Sequence, residues 1–168
     1  MNREPGPAPR PEQESRASPA GARSREPAGP QPASAGPGPG FARIATDGAA
    51  DIGCTVRNTG TVAGAETVQL YLRDPVAQVV RPVRFLAGFA RVALQPGQAR
   101  RVTFRLHADR TSFHGRSGTR IVEPGVIEIE VGSSSADHRL TGSLLLHGPE
   151  RAVGPDRVLT TPTSVLDG

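Results

Sequence analysis

The sequence predicts an all-β protein, an antiparallel sandwich of about seven strands that follows a disordered N-terminal tail. Three observations carry this prediction. Apolar and polar residues alternate in short runs, turn signals rich in Gly, Pro, Asn and Asp separate these runs at spacings of about 8 to 15 residues, and the composition changes sharply near residue 41. No segment shows a convincing helical period, so we expect no helical layer.

Residues 1–40 differ in composition from the rest of the chain. They contain 10 of the 17 prolines and no Val, Ile, Leu, Phe, Tyr or Trp. Such a segment cannot bury enough apolar surface to offset the entropy of ordering, so we expect a disordered Pro-, Gly- and Ala-rich tail or linker. We assign the folded domain to residues 41–148. Residues 149–168, with Pro155, Pro162 and scattered apolar residues, are expected to form a frayed C-terminal tail.

Seven alternating runs predict the strands of the domain. In the clearest run, Ile52, Cys54 and Val56 alternate with small or polar residues, and the turn signal RNTG follows. The run at 68–72 is apolar enough on both faces to be a central strand, and it ends at Asp74-Pro75 because proline cannot donate to a sheet. The remaining runs lie at 85–94, 102–106, 119–122, 126–131 and 140–146.

Charge and composition argue against several classes of partner. The formal net charge is +4 and the pI is about 10.8. All 20 basic residues are Arg, scattered among 16 acids rather than clustered on one stripe, so we expect no nucleic-acid partner. No apolar stretch approaches a membrane span or a signal-peptide core, so we expect no membrane association and leave the compartment open. Cys54, the only cysteine, is interpreted as a small buried hydrophobe.

Six motifs occur in an informative order: NTG, AGAETVQLYLRDP, RPVRFLAGF, LQPGQ, VEPG and VGSSS. In this order and spacing they resemble the fibronectin-III-like domain at the C-terminus of family 3 glycoside hydrolases, the β-glucosidases and β-xylosidases. The resemblance spans roughly residues 52–148 and implies an immunoglobulin- or fibronectin-III-like sandwich. It departs from the family at HGRSGTRIVEPG, where an aromatic-rich segment is expected before VEPG.

The resemblance also implies a function. In that family a barrel and an α/β sandwich supply the nucleophilic Asp and the acid/base Glu. The barrel does not fit in this chain, so the resemblance implies a non-catalytic accessory module that stabilises or positions the catalytic domains and is here separated from them, or a gene fragment. Its expected partner is a glycoside hydrolase catalytic domain, in trans or in a parent chain. The alternative is a free-standing carbohydrate-binding or adhesion module, against which the lack of Trp and the single Tyr argue.

Two closely spaced glutamates on one predicted strand could suggest a glycosidase site. A glycosidase needs two carboxyl groups about 5 to 10 Å apart across a sugar bond. Glu128 and Glu130 alternate with apolar residues on one strand, so we interpret them as part of a solvated strand face.

The segment SSSADH places Ser133, Asp137 and His138 close in sequence, but a catalytic triad needs groups that converge from separate elements. The four histidines lack the spacing of metal ligands with one another or with the cysteine. They are His107, His114, His138 and His147. We therefore expect no catalytic residue, cofactor, metal or small-molecule ligand.

The segment from Asp74 to Phe89 is the remaining functional candidate. It is long for a hairpin connection and interleaves apolar residues with two arginines. A loop this apolar either folds under the sandwich or packs against another domain. We favour docking, in which Arg81 and Arg84 either pair with acids across the interface or remain two solvated charges. The candidate docking residues are Asp74, Val79, Val80, Arg81, Val83, Arg84, Phe85 and Phe89.

Overall fold

The structure is a computed structural model that describes residues 30–33 and 42–167. A single short 3-10 helix, Ala108–Thr111, interrupts the strands of this part of the chain. The strands in chain order are β1 (Pro30–Ala33), β2 (Ala42–Ala45), β3 (Ala49–Asn58), β4 (Gly64–Arg73), β5 (Phe85–Leu94), β6 (Ala99–His107), β7 (Phe113–His114), β8 (Arg120–Val122), β9 (Gly125–Ser134), β10 (Asp137–His147), β11 (Arg151–Ala152) and β12 (Thr163–Asp167).

Two sheets enclose the hydrophobic core. One has the strand order β1-β3-β6-β12, and the other has the order β2-β10-β9-β4-β5. All pairings in these sheets are antiparallel except that of β2 with β10, which is parallel. A small ribbon of β11, β8 and β7 lies beside them. The all-β sandwich predicted from the sequence is confirmed, and the described residues contain no helix long and apolar enough to span a membrane.

The alternation in the sequence determines which face of each strand meets the core. On β3, Cys54 lies opposite Val102 of β6, and both side chains are fully buried. Arg101 and Arg105 point to the other face of β6 and are exposed. β4 lies inside its sheet between β9 and β5, as its apolar character on both faces predicted. The five-stranded sheet contributes Val68, Leu70, Leu72, Val92, Leu94, Ile127, Ile129, Val131, Leu144 and Leu146 to the core.

The NTG motif forms its turn through a buried asparagine. The Asn58 amide nitrogen donates to the carbonyls of Val62 at 2.8 Å and Leu94 at 3.2 Å, and its side-chain oxygen accepts from the Gly60 amide at 2.9 Å. This one side chain therefore satisfies three backbone groups at the end of β3. The QPGQ motif forms the next turn, in which Gly97 has φ 75°, a conformation that favours glycine.

Two terminal segments differ from expectation. Residues 149–168 were expected to form a frayed tail, but β11 pairs with β8 and β12 pairs with β6 over residues 163–167. The segment is held because Asp109 accepts hydrogen bonds from the Arg151 guanidinium and from the Val158 amide at 2.9 Å. Within the expected N-terminal tail, residues 30–33 form β1 on β3. The rest of that prediction, for residues 1–29 and 34–40, lies outside the described residues.

Candidate docking surface

The loop at residues 74–84 joins β4 to β5 and is anchored by a buried arginine. The Arg81 guanidinium pairs with the Asp74 carboxylate, and both side chains are nearly buried. Arg81 also donates to the Thr111 carbonyl at 3.0 Å. Its guanidinium carbon lies 4.5 Å from the ring centroid of Phe113 and 5.5 Å from that of Phe85. These contacts fix the loop to the 3-10 helix and to β7.

A second anchor lies at Gln78. Its amide nitrogen donates to Glu150 at 3.1 Å, and its side-chain oxygen accepts from the Arg116 amide at 3.1 Å. The Arg116 Nε donates to the Gln78 carbonyl at 3.0 Å. The middle of the loop is therefore tied through Gln78 to the 115–118 turn.

The apolar residues of the loop have a different environment. Val76 is 84% exposed, Val80 is fully exposed and Val83 is 70% exposed. Val79 is half-buried, whereas Phe85 packs against the core. On β5, Leu86 is exposed and Phe89 is 63% exposed. We refer to Val76, Val80 and Val83 as the loop surface.

The two arginines do not have the role expected of them. We expected Arg81 and Arg84 either to pair with acids of another domain or to be solvated. In the structure the Arg84 Nε lies 2.9 Å from the Glu130 carboxylate, and Arg84 also donates to the Ser135 carbonyl at 3.3 Å. Since Arg81 is occupied by Asp74, both cations are already paired inside the domain.

The glutamates on β9 are ion-paired rather than simply solvated. Glu128 accepts from Arg73 at 2.8 Å, and Glu130 lies between Arg84 and the His138 Nδ1, which is 3.5 Å away. Both glutamates line a surface depression together with Thr141, Gly142 and Ser143. Each carboxylate is engaged by an arginine, so neither is placed as the proton donor that glycoside cleavage needs.

The SSSADH segment does not assemble a relay. The Ser133 hydroxyl donates directly to Asp137 at 2.8 Å, whereas the His138 ring lies 5.5 Å from the Tyr71 ring and faces Glu130. Hydrogen bonds from Arg139 and Ser133 lower the pKa of Asp137 below its usual value. The histidine therefore does not stand between the serine and the aspartate, as a triad requires.

Cys54 and the histidines give no reactive centre in the described residues. Burial raises the pKa of the Cys54 thiol to about 11, an effect that the Arg101 charge partly opposes. The thiol is fully buried, as predicted. Within residues 42–167, no group of three or more His, Cys, Asp or Glu side chains could hold a metal ion.

Seven of the eight candidate docking residues fall into two groups, and the half-buried Val79 lies between them. Val80, Val83 and Phe89 present apolar surface to solvent, whereas Asp74, Arg81, Arg84 and Phe85 hold the loop and the start of β5 to the domain. Val76 and Leu86 contribute to the apolar character of the segment in the sequence and are exposed, but they were not among the candidate docking residues, and Gln78, which anchors the loop, was missed. The apolar character of Val76 and Leu86 was a readable signal, but the partners of Gln78 are 38 and 72 residues away in sequence.

This architecture defines an immunoglobulin-like β-sandwich with an anchored surface loop that exposes apolar side chains. Residues 66–135 match the family model of the fibronectin type III-like domain. The chain is 42% identical over 102 residues to a β-xylosidase of Formosa agariphila and 38% identical over 97 residues to a β-glucosidase of Bacteroides ovatus. These matches cover 60% and 57% of this chain, but only 14% and 13% of the two relatives.

Comparison with solved structures agrees with these sequence matches. A β-glucosidase from Listeria innocua superposes with a TM-score of 0.62 at 30% identity, covering 71% of this chain and 16% of its own. A GH3 β-glucosidase from Bifidobacterium adolescentis gives a TM-score of 0.62 at 33% identity, with 71% and 18% covered. The resemblance is therefore confirmed: residues 66–135 match the fibronectin type III-like domain, and the folded part of this chain is similar in sequence and structure to a small part of these β-xylosidases and β-glucosidases.

Proposed function

We propose that this domain is a non-catalytic accessory module that docks on the catalytic part of a family 3 glycoside hydrolase and stabilises or positions it, in trans or in a parent chain. The observation that carries the proposal is the loop surface, where three valines are exposed on a loop that Arg81 and Gln78 anchor to the domain. The matched relatives, a β-xylosidase and β-glucosidases, support this assignment because the chain covers only a small fraction of each.

The loop surface combines two properties that favour binding. Exposed apolar side chains lose their unfavourable hydration when a partner covers them, at roughly 25 cal/mol per Å². The anchors at Arg81 and Gln78 hold the loop in one conformation, so little conformational entropy is lost on docking. Because the nearby cations are internally paired, we expect the contact to be largely apolar and only weakly dependent on salt.

The test is the double variant Val80→Ser with Val83→Ser. The probe is the catalytic part of a family 3 β-glucosidase from which its own fibronectin-III-like domain has been removed. We expect the unmodified chain to bind this probe and raise its melting temperature, and the double variant to bind about tenfold more weakly or worse. The variant's own melting temperature should stay close to that of the unmodified chain because both valines are exposed.

A matched control uses valines exposed elsewhere. Val62, which precedes β4, and Val165, which lies on β12 in the other sheet, are also exposed, so Val62→Ser with Val165→Ser makes the same chemical change away from the loop. This control should bind the probe as the unmodified chain does. Equal weakening by both double variants, or unchanged binding by the loop variant, would argue against docking through the loop surface.

The proposal includes the absence of catalysis by this chain. The purified chain should not hydrolyse aryl β-glucosides or β-xylosides above a buffer blank, because Glu128 and Glu130 are held by arginines on one strand face. Turnover that persists through purification and disappears in Glu128→Gln or Glu130→Gln would overturn this part of the proposal.

A further inference from the structure

The strand β12 forms one edge of the four-stranded sheet. Among the described residues it pairs only with β6, and each of its five residues is exposed. Leu166 is 63% exposed. An edge strand of this kind presents a row of unpaired N–H and C=O groups, which another strand can join.

The hydrogen bonds between β12 and β6 show which groups point away from the sheet. The Arg105 amide donates to the Pro162 carbonyl at 2.9 Å, so this directly opposed pair is a hydrogen-bonded pair. Such pairs alternate along an antiparallel ladder. Ser164 and Leu166 therefore bond to Thr103 and Arg101 in the same register.

The backbone groups of the other residues on β12 point away from β6. The N–H and C=O groups of Thr163, Val165 and Asp167 point to the open edge. They form a symmetric set, with one residue on each side of Val165 at equal spacing.

The opposite edge of the same sheet, formed by β1, does not present a complete set of outward N–H groups. The backbone N–H of Asn58 donates to the Gln98 carbonyl. The backbone N–H and C=O groups of the even-numbered residues in this part of β3 therefore point toward β6. On β1, Gln31 and Ala33 then bond to β3, and Pro30 and Pro32 occupy the outward positions. Proline has no N–H to donate, so the β1 edge cannot complete a ladder, whereas the β12 edge can.

We propose that β12 pairs antiparallel with β12 of a second copy of this chain, about a twofold axis at Val165. In this register Val165 faces its own counterpart, and Thr163 faces Asp167 of the other copy. Each of these pairs can exchange both of its hydrogen bonds, so every outward group of the strand is satisfied.

The side chains are compatible with this register. Leu166 becomes a diagonal neighbour of its counterpart, within reach for apolar contact on the outer face of the joined sheets. Like charges do not face each other directly, because Asp167 lies opposite Thr163 and is already paired with Arg100 at 3.1 Å. Symmetric self-pairing of this kind is the isologous contact expected of a closed dimer. The dimer uses a different sheet from the loop surface and does not depend on the proposed docking.

The test is amide hydrogen exchange of the full chain, measured with sedimentation from micromolar to millimolar concentration. A five-residue ladder is much smaller than a standard interface of about 1,600 Å², so dimerisation should be visible only toward high concentration. We expect the Thr163, Val165 and Asp167 amides to gain protection together with dimer formation. The Ser164 and Leu166 amides should be protected at every concentration, because they already bond to β6.

Proline substitutions test the register. Val165→Pro removes an outward N–H and should weaken the dimer at least about tenfold, while the Arg101 and Thr103 amides stay protected, showing that β12 remains on β6. If Val165→Pro detaches β12, Thr163→Pro, which also removes an outward N–H, replaces it. Ser164→Pro removes a bond to β6 and should lower the melting temperature instead. A monomer at all concentrations, a dimer insensitive to the outward prolines, or a dimer formed by exchange of β12 between copies would overturn the proposal.

Discussion

The Arg81 guanidinium carbon lies 4.5 Å from the ring centroid of Phe113, a residue of β7 that is 32 positions further along the chain. The same guanidinium pairs with Asp74 at the beginning of the loop and reaches the Thr111 carbonyl. The loop surface therefore rests on a support that the loop residues do not form alone. This support explains why valines can remain exposed on a loop that keeps one conformation.

We predict that Arg81→Met destabilises the domain by about 1 to 3 kcal/mol, because it leaves the nearly buried Asp74 carboxylate without its partner. Urea denaturation of both forms measures this loss. Arg84→Met is the control, since its ion pair with Glu130 is more exposed and should matter less. Equal losses for the two variants would show that the support at Arg81 is not special.

A second prediction concerns Asp109, which joins the C-terminal segment to the domain. Burial alone would raise the pKa of this carboxyl, but hydrogen bonds from Arg151 and the Val158 amide, with the nearby His107, lower it below the usual 3.8. The charged form is therefore stabilised on folding. This stability is present above the unfolded pKa and is lost as the pH falls through the lower folded pKa.

Asp109→Asn should accordingly cost about 1 to 3 kcal/mol near neutral pH, and the difference from the unmodified chain should shrink under acid conditions. Denaturant titrations over a series of acid pH values measure both effects. Asp51→Asn is the control, because that carboxylate pairs with Arg105 on the exposed face of β3 and β6, away from the C-terminal contacts of Asp109. A difference that stays constant with pH would contradict the assigned role of Asp109.

The core strands were predictable from the sequence because one face of each is buried. Ile52, Cys54 and Val56 on β3 follow the period of two that a half-buried strand imposes. β12 carries no such signal, since all five of its residues are exposed. Its pairing depends on contacts of the preceding segment with Asp109, which is more than 40 residues away in sequence. Local patterns do not record contacts of that range.

The candidate docking loop shows the same division. Its apolar excess was readable, and Val80 and Val83 are exposed. The role of Arg81 was not readable, because an arginine within a loop has the same sequence pattern whether it faces a partner or an internal acid. The contacts with Thr111 and Phe113 arise only after β4, β5 and the 3-10 helix have been assembled.

A third prediction concerns Gly132 in the VGSSS motif. A Cβ atom at this position would lie 1.9 Å from the Asp137 carbonyl oxygen, at an irregularity in the pairing of β9 with β10. The obstacle is backbone, which cannot move aside as a flexible side chain would. Gly132→Ala should therefore destabilise the domain by about 3 kcal/mol or more, or prevent folding.

Gly142 on β10 provides the matched control. A Cβ atom there meets nothing within 4 Å, so Gly142→Ala should be neutral or stabilise the domain by about 0.5 to 1 kcal/mol. Thermal melts of the two variants decide the question. Similar melting temperatures would mean that the bulge adapts to a side chain and that the glycine is not required.

The last prediction uses the buried thiol as a probe of the core at alkaline pH. Burial raises the pKa of Cys54 from 9.0 to about 11, so the folded state favours the protonated thiol. Below pH 9.0 both the folded and the unfolded chain keep the proton and the contribution to stability is fully present. As the pH rises from below 9.0 to above about 11, the unfolded thiol ionises first, and stability falls in total by roughly 3 kcal/mol. Cys54→Ala removes this titration, so the stability of the variant should fall less over the same pH range than that of the unmodified chain. Guanidinium denaturation of the two proteins under reducing conditions measures the difference. Val102→Ala, made directly opposite on β6, creates a cavity but keeps the thiol, and should retain the alkaline loss. Parallel curves for Cys54→Ala and the unmodified chain would show that the thiol ionises as readily in the folded sandwich as in the unfolded chain.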